Sequence, residues 1–232
     1  MENKPTTAAS NTGCSDNDPE RERHVLTRKK RDELSPRDMI RLLQEGNRRF
    51  VDGKPIDWDY RHEQADTSGG QYPGAIVLGC IDSRAPAEIV FNLRIGDVFN
   101  ARVAGNVIDE DILGSMEYAC KAAGAKIILV MGHTNCGAVK GAIDRVELGN
   151  LTQLLAKIRP AIDAIRDVEG EQTTKNSAFV SAVAEMNVML TMENIRKTSP
   201  VLKDMEEKSE IAIAGAMYDV ESGKVEFLGS KT

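Results

Sequence analysis

Residues 75–84 read AIVLGCIDSR and residues 126–137 read KIILVMGHTNCG, two short aliphatic runs that each pass through a glycine into residues able to hold a metal. Two more segments of this kind follow the same pattern, 98–102 (VFNAR) and 210–220 (EIAIAGAMYDV). Helical stretches around 86–92, 109–123 and 138–147 lie between them, so strands alternate with helices as a mainly parallel sheet requires. The fold class expected is α/β: a mainly parallel central sheet, about four parallel strands plus an antiparallel edge strand, flanked by helices. The edge strand is 224–228, turned back by Ser222-Gly223 as a hairpin. Two helices, roughly 151–168 and 175–197, should precede the fourth strand.

Upstream, Ser35-Pro36-Arg37-Asp38 combines a capping hydroxyl, a proline in the first turn and a carboxylate three residues on, which starts a helix. Met39, Ile40, Leu42, Leu43 and Phe50 supply its apolar stripe, making it the N-terminal helical arm of the domain. Residues 52–73, with Gly69-Gly70 and Pro73, read as a long connection. Residues 1–24 are polar and charged and read as a flexible arm carrying an inert thiol at Cys14. A single domain is expected over 25–232.

With 232 residues, 30 basic against 36 acidic side chains and a formal charge of −6, the chain is a poor partner for nucleic acid. No run of about 18 apolar residues is present, so no membrane span is expected. A cytoplasmic location is expected, with a periplasmic one left open should a signal have been removed. Four cysteines are too few for a disulfide scaffold and suit reduced thiols or metal ligands.

In an open parallel sheet, ligands gather beyond the carboxyl ends of the strands. Cys80 follows one such end, and His133-Thr134-Asn135-Cys136-Gly137 follows another. Two thiolates and one imidazole are the donor set of a tetrahedral zinc site that keeps its fourth position for water or substrate. Cys80 can join the other two only if the two strand ends are neighbours. The onset of a helix after Cys136 favours its thiolate. Asp82 and Arg84, two residues apart in a strand-end loop, can form a forked ion pair. Asp82 could then orient a metal-bound water or swing onto the metal as a fourth ligand. Cys120, among apolar neighbours in MEYACKAAG, reads as core.

Cys80-x-Asp82-Ser83-Arg84 followed by His133-x-x-Cys136-Gly137 resembles the β-class carbonic anhydrases, in their plant-like active-site pattern. The segments GDVFNARVAGN, LGSMEYA and AIAGAMYDV match in the same order, so the resemblance spans about residues 36–228. It implies reversible hydration of carbon dioxide to bicarbonate and a proton, by hydroxide formed at one Zn2+ per chain. It further implies Cys80, His133 and Cys136 as zinc ligands, Asp82 and Arg84 as the catalytic dyad, and the Gly137 amide facing the substrate. Gln71, Phe99 and Tyr118 correspond to the carbon dioxide pocket, part of which crosses a subunit interface. A homodimer or dimer of dimers is the assembly implied.

Ala104 and Gly105 form the wall beside the substrate, where a smaller residue and a more permissive backbone replace the family's usual Arg-Asn-Val-Ala-Asn pattern. Val77 stands where bicarbonate-inhibited members carry tryptophan, so the inhibitory pocket is expected to be absent. Small apolar residues such as Ile81, with no cluster of cations beyond Arg84, suit a small neutral electrophile. Hydrolysis of carbon disulfide or carbonyl sulfide on the same fold is one alternative, and a non-catalytic zinc or redox-sensing protein is another. His24 and His62, the remaining histidines, are expected in loops.

Overall fold

The computed structural model describes residues 25–229; the expected arm at 1–24, with Cys14 and His24, lies outside the described residues. The strands β1 (Ala75–Gly79), β2 (Val98–Arg102), β3 (Ile127–His133) and β4 (Ala212–Tyr218) are parallel, and β5 (Val225–Leu228) runs antiparallel to β4. Their order across the sheet is β2-β1-β3-β4-β5.

β1 and β3 are buried along their whole length, which is why both read as unbroken aliphatic runs. Successive side chains point to opposite faces. On one face Ala75, Val77, Ile127, Leu129 and Met131 pack with Met39 and Leu43 of α2 (Pro36–Val51) and Val90 of α4 (Ala87–Val90). On the other, Ile76, Leu78, Ile128 and Val130 meet Met116 of α5 (Glu110–Glu117), Val188 of α9 (Ser177–Thr198) and Leu202 of α10 (Pro200–Glu207). At about 1.5–3 kcal/mol for each fully buried aliphatic side chain, this double burial holds the two central strands in place.

The start of α2 follows its sequence signature. The Asp38 N–H donates to Ser35 Oγ at 3.2 Å, and the Ser35 N–H donates back to Asp38 Oδ2 at 3.0 Å. Ser199-Pro200 repeats the device at α10, where the Leu202 N–H donates to Ser199 Oγ.

Several expectations need correction. The stretch 52–73 is no plain connection: α3 (Tyr60–Thr67) forms within it, capped by Asp59 and anchored by buried Glu63, which accepts from the Ile95 N–H at 3.0 Å. His62 therefore lies on a helix, 3.4 Å from Asp66. The helix expected over 151–168 is two helices, α7 (Gly149–Ala156) and α8 (Arg159–Ala164), broken ahead of Pro160 because proline cannot continue the hydrogen-bond ladder. The helix expected over 138–147 is α6 (Gly137–Ile143), which ends where Arg145 adopts a left-handed backbone at φ 54°. A short α1 (Arg28–Glu33) and α10 were not anticipated. No described helix is long and apolar enough to cross a membrane.

Bonds from Ser35 hold the Asp38 carboxyl below its ordinary value of 3.8. Its cap therefore contributes fully above the unfolded-state value and fades as pH falls through the lower folded one. Asp38→Asn is expected to lower the melting temperature near neutral pH, with the difference from the parent protein closing as acid titrates that carboxylate in a pH series of thermal melts.

Candidate metal centre

The pairing of β1 with β3 sets Gly79 opposite Met131, so Cys80, one residue further, emerges beside the end of β3 where His133 sits. A turn through Thr134 and Asn135, the latter at φ 55°, then places Cys136 at the N-cap of α6. The ligand atoms of Cys80, His133 and Cys136 lie within 4.8 Å of one another, and all three residues are buried. The two Sγ atoms are 4.0 Å apart as free thiols.

The imidazole is oriented from behind. His133 Nδ1 donates to the Thr134 carbonyl at 2.8 Å, and Nε2, turned to the sulfurs, is buried without a hydrogen-bond partner. A buried ring nitrogen left bare is costly unless something accepts its lone pair. Two sulfurs and this nitrogen are the donors a divalent cation such as zinc would satisfy. The residues present fit a metal.

The electrostatics agree. A bond from the Cys136 thiol pushes the Cys80 thiol down, with help from His133 and the Gly105 and Asp82 amides against the cost of burial. The same contact and burial push Cys136 up, outweighing the Val139 and Ala138 amides at the start of α6. Those amides favour a Cys136 thiolate, as expected. Cys120 is buried core as expected, its thiol pushed up to about 12 by burial.

Asp82 and Arg84 pair as their spacing suggested. Asp82 Oδ1 accepts from Arg84 Nε at 2.9 Å and Oδ2 accepts from Nη2 at 2.7 Å. That guanidinium holds the carboxyl well below the usual carboxylate range. Asp82 Oδ2 also lies 3.8 Å from His133 Nε2, so the carboxylate borders the donor cluster. Two residues outside the Cys80–Arg84 and His133–Gly137 signatures fix this loop. Arg102 donates from Nε to the Cys80 carbonyl at 2.9 Å and from Nη2 to the Asp82 carbonyl, and the Tyr218 hydroxyl donates to the Arg84 carbonyl at 3.3 Å. Only the sheet register, Gly79 beside Arg102 and His133 beside Tyr218, reveals them.

Gly105 uses the backbone latitude expected of it, and uses it in a confined place. Gly105 is buried, sits at φ 70°, and a Cβ there would come within 2.6 Å of Ile158 Cδ1. The backbone is constrained, and its N–H donates to Cys80 Sγ at 3.3 Å. Gly137, in contrast, faces open space, with nothing within 4 Å of a Cβ built on it. Ala104 is half-buried beside Gly105. Gln71, Phe99 and Tyr118 are not brought to Cys80 within the chain. Phe99 is level with Ile76, near the start of β1, and its ring lies 6.3 Å from that of Tyr118. Tyr118 is 60% exposed, and Gln71, also exposed, precedes β1 altogether.

An open sheet whose strand ends bring two thiols, an imidazole and a forked carboxylate to one point defines a metal-binding α/β enzyme. A family model described as carbonic anhydrase matches residues 75–225. Carbonic anhydrase 2 of Mycobacterium tuberculosis is 32% identical over 188 residues, covering 79% of this chain and 88% of its own. Carbonic anhydrase of Mycolicibacterium smegmatis is 34% identical over 190 residues, 80% of this chain and 90% of its own. Among solved structures, one of two tetrameric β-carbonic anhydrases from Sordaria macrospora gives a TM-score of 0.64 at 26% identity, covering 73% of this chain and 87% of that one. A Coccomyxa β-carbonic anhydrase in complex with acetazolamide gives 0.64 at 27% identity, covering 79% and 83%. The chain belongs to the carbonic anhydrase family, in its β class, and its reaction is the reversible hydration of carbon dioxide.

Gly105→Ala is expected to cost about 2–5 kcal/mol, the sum of a left-handed alanine and an overpacked contact. Denaturant unfolding checks the stability loss, and metal content measured on the same protein should fall because the displaced amide supports Cys80.

Proposed function

We propose that the metal is zinc, one ion per chain, held by Cys80, His133 and Cys136, and that Asp82 and Arg84 are the catalytic dyad. The observation carrying this is the buried cluster of two sulfurs and an imidazole whose Nε2 has no other partner. A zinc ion in such a site acidifies water toward neutrality and so supplies hydroxide as nucleophile.

The chain's own residues do the rest. Asp82, kept ionised by Arg84, accepts a hydrogen bond from the reacting water and orients it. Its closeness to His133 Nε2 also lets it serve as a fourth ligand in a closed state. Gly137 starts α6 beside open space, where its amide can donate to a substrate oxygen. Arg102 is committed to two carbonyls, so Arg84 is the cation left at the entrance, and the recess suits a small neutral substrate rather than a large anion.

Gln71, Phe99 and Tyr118 complete the carbon dioxide pocket from a second copy of the chain, making the active unit a homodimer or a dimer of dimers. Their position at the other end of the strands supports this, as does the exposed edge strand β2.

Metal analysis combined with a carbon dioxide hydration assay tests the metal reading. The parent protein should carry about one zinc per chain, and His133→Ala should lose both zinc and activity. Asp82→Asn should keep zinc while losing on the order of 10²-fold in kcat/KM. Zinc-free protein with full activity would sink the reading.

The shared pocket is checked by subunit mixing. Co-refolded His133→Ala and Gln71→Ala/Tyr118→Phe chains should regain activity beyond the sum of the two variants, because one mixed site has a whole metal centre and a whole pocket. Simple addition of the two residual activities would place the pocket within one chain.

A further inference from the structure

Toward the C-terminal end of α6, residues of α6, α8, the following segment and the start of α9 line a cavity of about 520 Å³. None of its lining residues belongs to the metal centre. Three guanidiniums face it, Arg145, Arg159 and Arg166, against one carboxylate, Asp163. Among the described residues, none of these four groups is ion-paired. In a chain of net charge −6, three unpaired arginines at one cavity are a local reversal of sign. Three cations against one carboxylate leave an excess of positive charge there, which a bound anion would offset.

Beneath a mostly polar accessible wall lie apolar residues. Phe179 and Ala142 are buried beneath the cavity, with Ile143 and Ile162 half-buried beside them. Arg145 adds a backbone observation. The Val146 N–H donates to the Gly141 carbonyl and the Arg145 N–H to the Ala142 carbonyl, the paired bonds of a helix end whose left-handed residue is usually glycine. Arginine occupies that position at a conformational disadvantage, which its side chain in the cavity can offset.

We propose that this cavity binds a small organic anion with a head group of the carboxylate or phosphate type. Guanidinium forks match the planar edge of a carboxylate or two oxygens of a phosphate. The volume falls within the roughly 300–1,000 Å³ of small-molecule sites and exceeds what a bare inorganic ion fills.

Equilibrium dialysis of the metal-loaded protein with phenyl phosphate, benzoate and inorganic phosphate tests this. At least one of the two organic anions should saturate a single site per chain and bind more tightly than inorganic phosphate, and the stronger of the two identifies the head group. Arg159→Gln/Arg166→Gln, both exposed positions, should weaken that binding at least about tenfold while leaving carbon dioxide hydration at the parent rate. No saturable binding of either organic anion in the millimolar range would overturn the proposal. So would unchanged affinity in the double variant, since the anion would then be lodged elsewhere, as at the metal centre, where it would inhibit hydration.

Discussion

The metal centre depends on one pairing, the parallel register of β1 against β3. Cys80 and His133 are 53 positions apart in the chain, and no local motif can bring them together. Gly79 opposite Met131 does so. At about 3.3 Å per residue, a slip of two positions would displace Cys80 by about 6.6 Å. That exceeds the 4.8 Å within which all three ligand atoms now lie. A slip of one would instead turn the aliphatic set of each strand to the wrong face. Because both faces of both strands are buried, either error exposes or clashes a whole layer of side chains. Packing of the core and assembly of the donor set are therefore the same constraint.

A second layer of contacts carries that constraint outward. Gly105 touches Cys80 Sγ through its amide, while its carbonyl accepts from buried Asn187 Nδ2 of α9 at 2.8 Å and its α-carbon faces Ile158. One glycine thus ties a ligand sulfur to a helix and to the segment entering α8. Only a residue without a side chain fits there, because both the positive φ and the missing space demand it. The loop bearing Asp82 is fixed differently, by Arg102 from β2 and Tyr218 from β4, so neighbours on either side of β1 and β3 steady the dyad.

Residues whose role is set by local chemistry were legible in the chain. The Ser35 cap, the aliphatic strands and the spacing of His133 from Cys136 each follow from a few adjacent residues. The Asp82–Arg84 fork is equally local. Arg102 and Tyr218 were opaque, since each acts on a backbone carbonyl reached only across the sheet. α3 was missed because YRHEQADT has no apolar stripe, and one buried carboxylate bonded to the Ile95 amide holds it. At Gly105 the backbone latitude was legible, as its φ of 70° bears out, while its confinement against Ile158 was not. α10 carried the same Ser-Pro signature as α2, so its signal was present and went unused.

On the proposed assignment of Gln71, Phe99 and Tyr118 to the carbon dioxide pocket, one chain holds an incomplete site. Phe99 is level with Ile76, four residues before Cys80, which at about 3.3 Å per residue is about 13 Å away along the strand. An aromatic side chain cannot reach that far, and the buried body of the sheet lies between. β2 is nevertheless an edge strand, with backbone groups free to meet another chain. A two-fold axis beside that edge would run two copies of β2 in opposite directions, so that the start of one lies near the end of the other. Under that symmetry the same 13 Å offset that separates Phe99 from its own Cys80 brings it toward the partner's strand ends. Tyr118 and Gln71 travel with it, and the exposed Tyr118 ring beside half-buried Phe99 gains the burial it lacks in a single chain. On this reading, association and completion of the carbon dioxide pocket are one event.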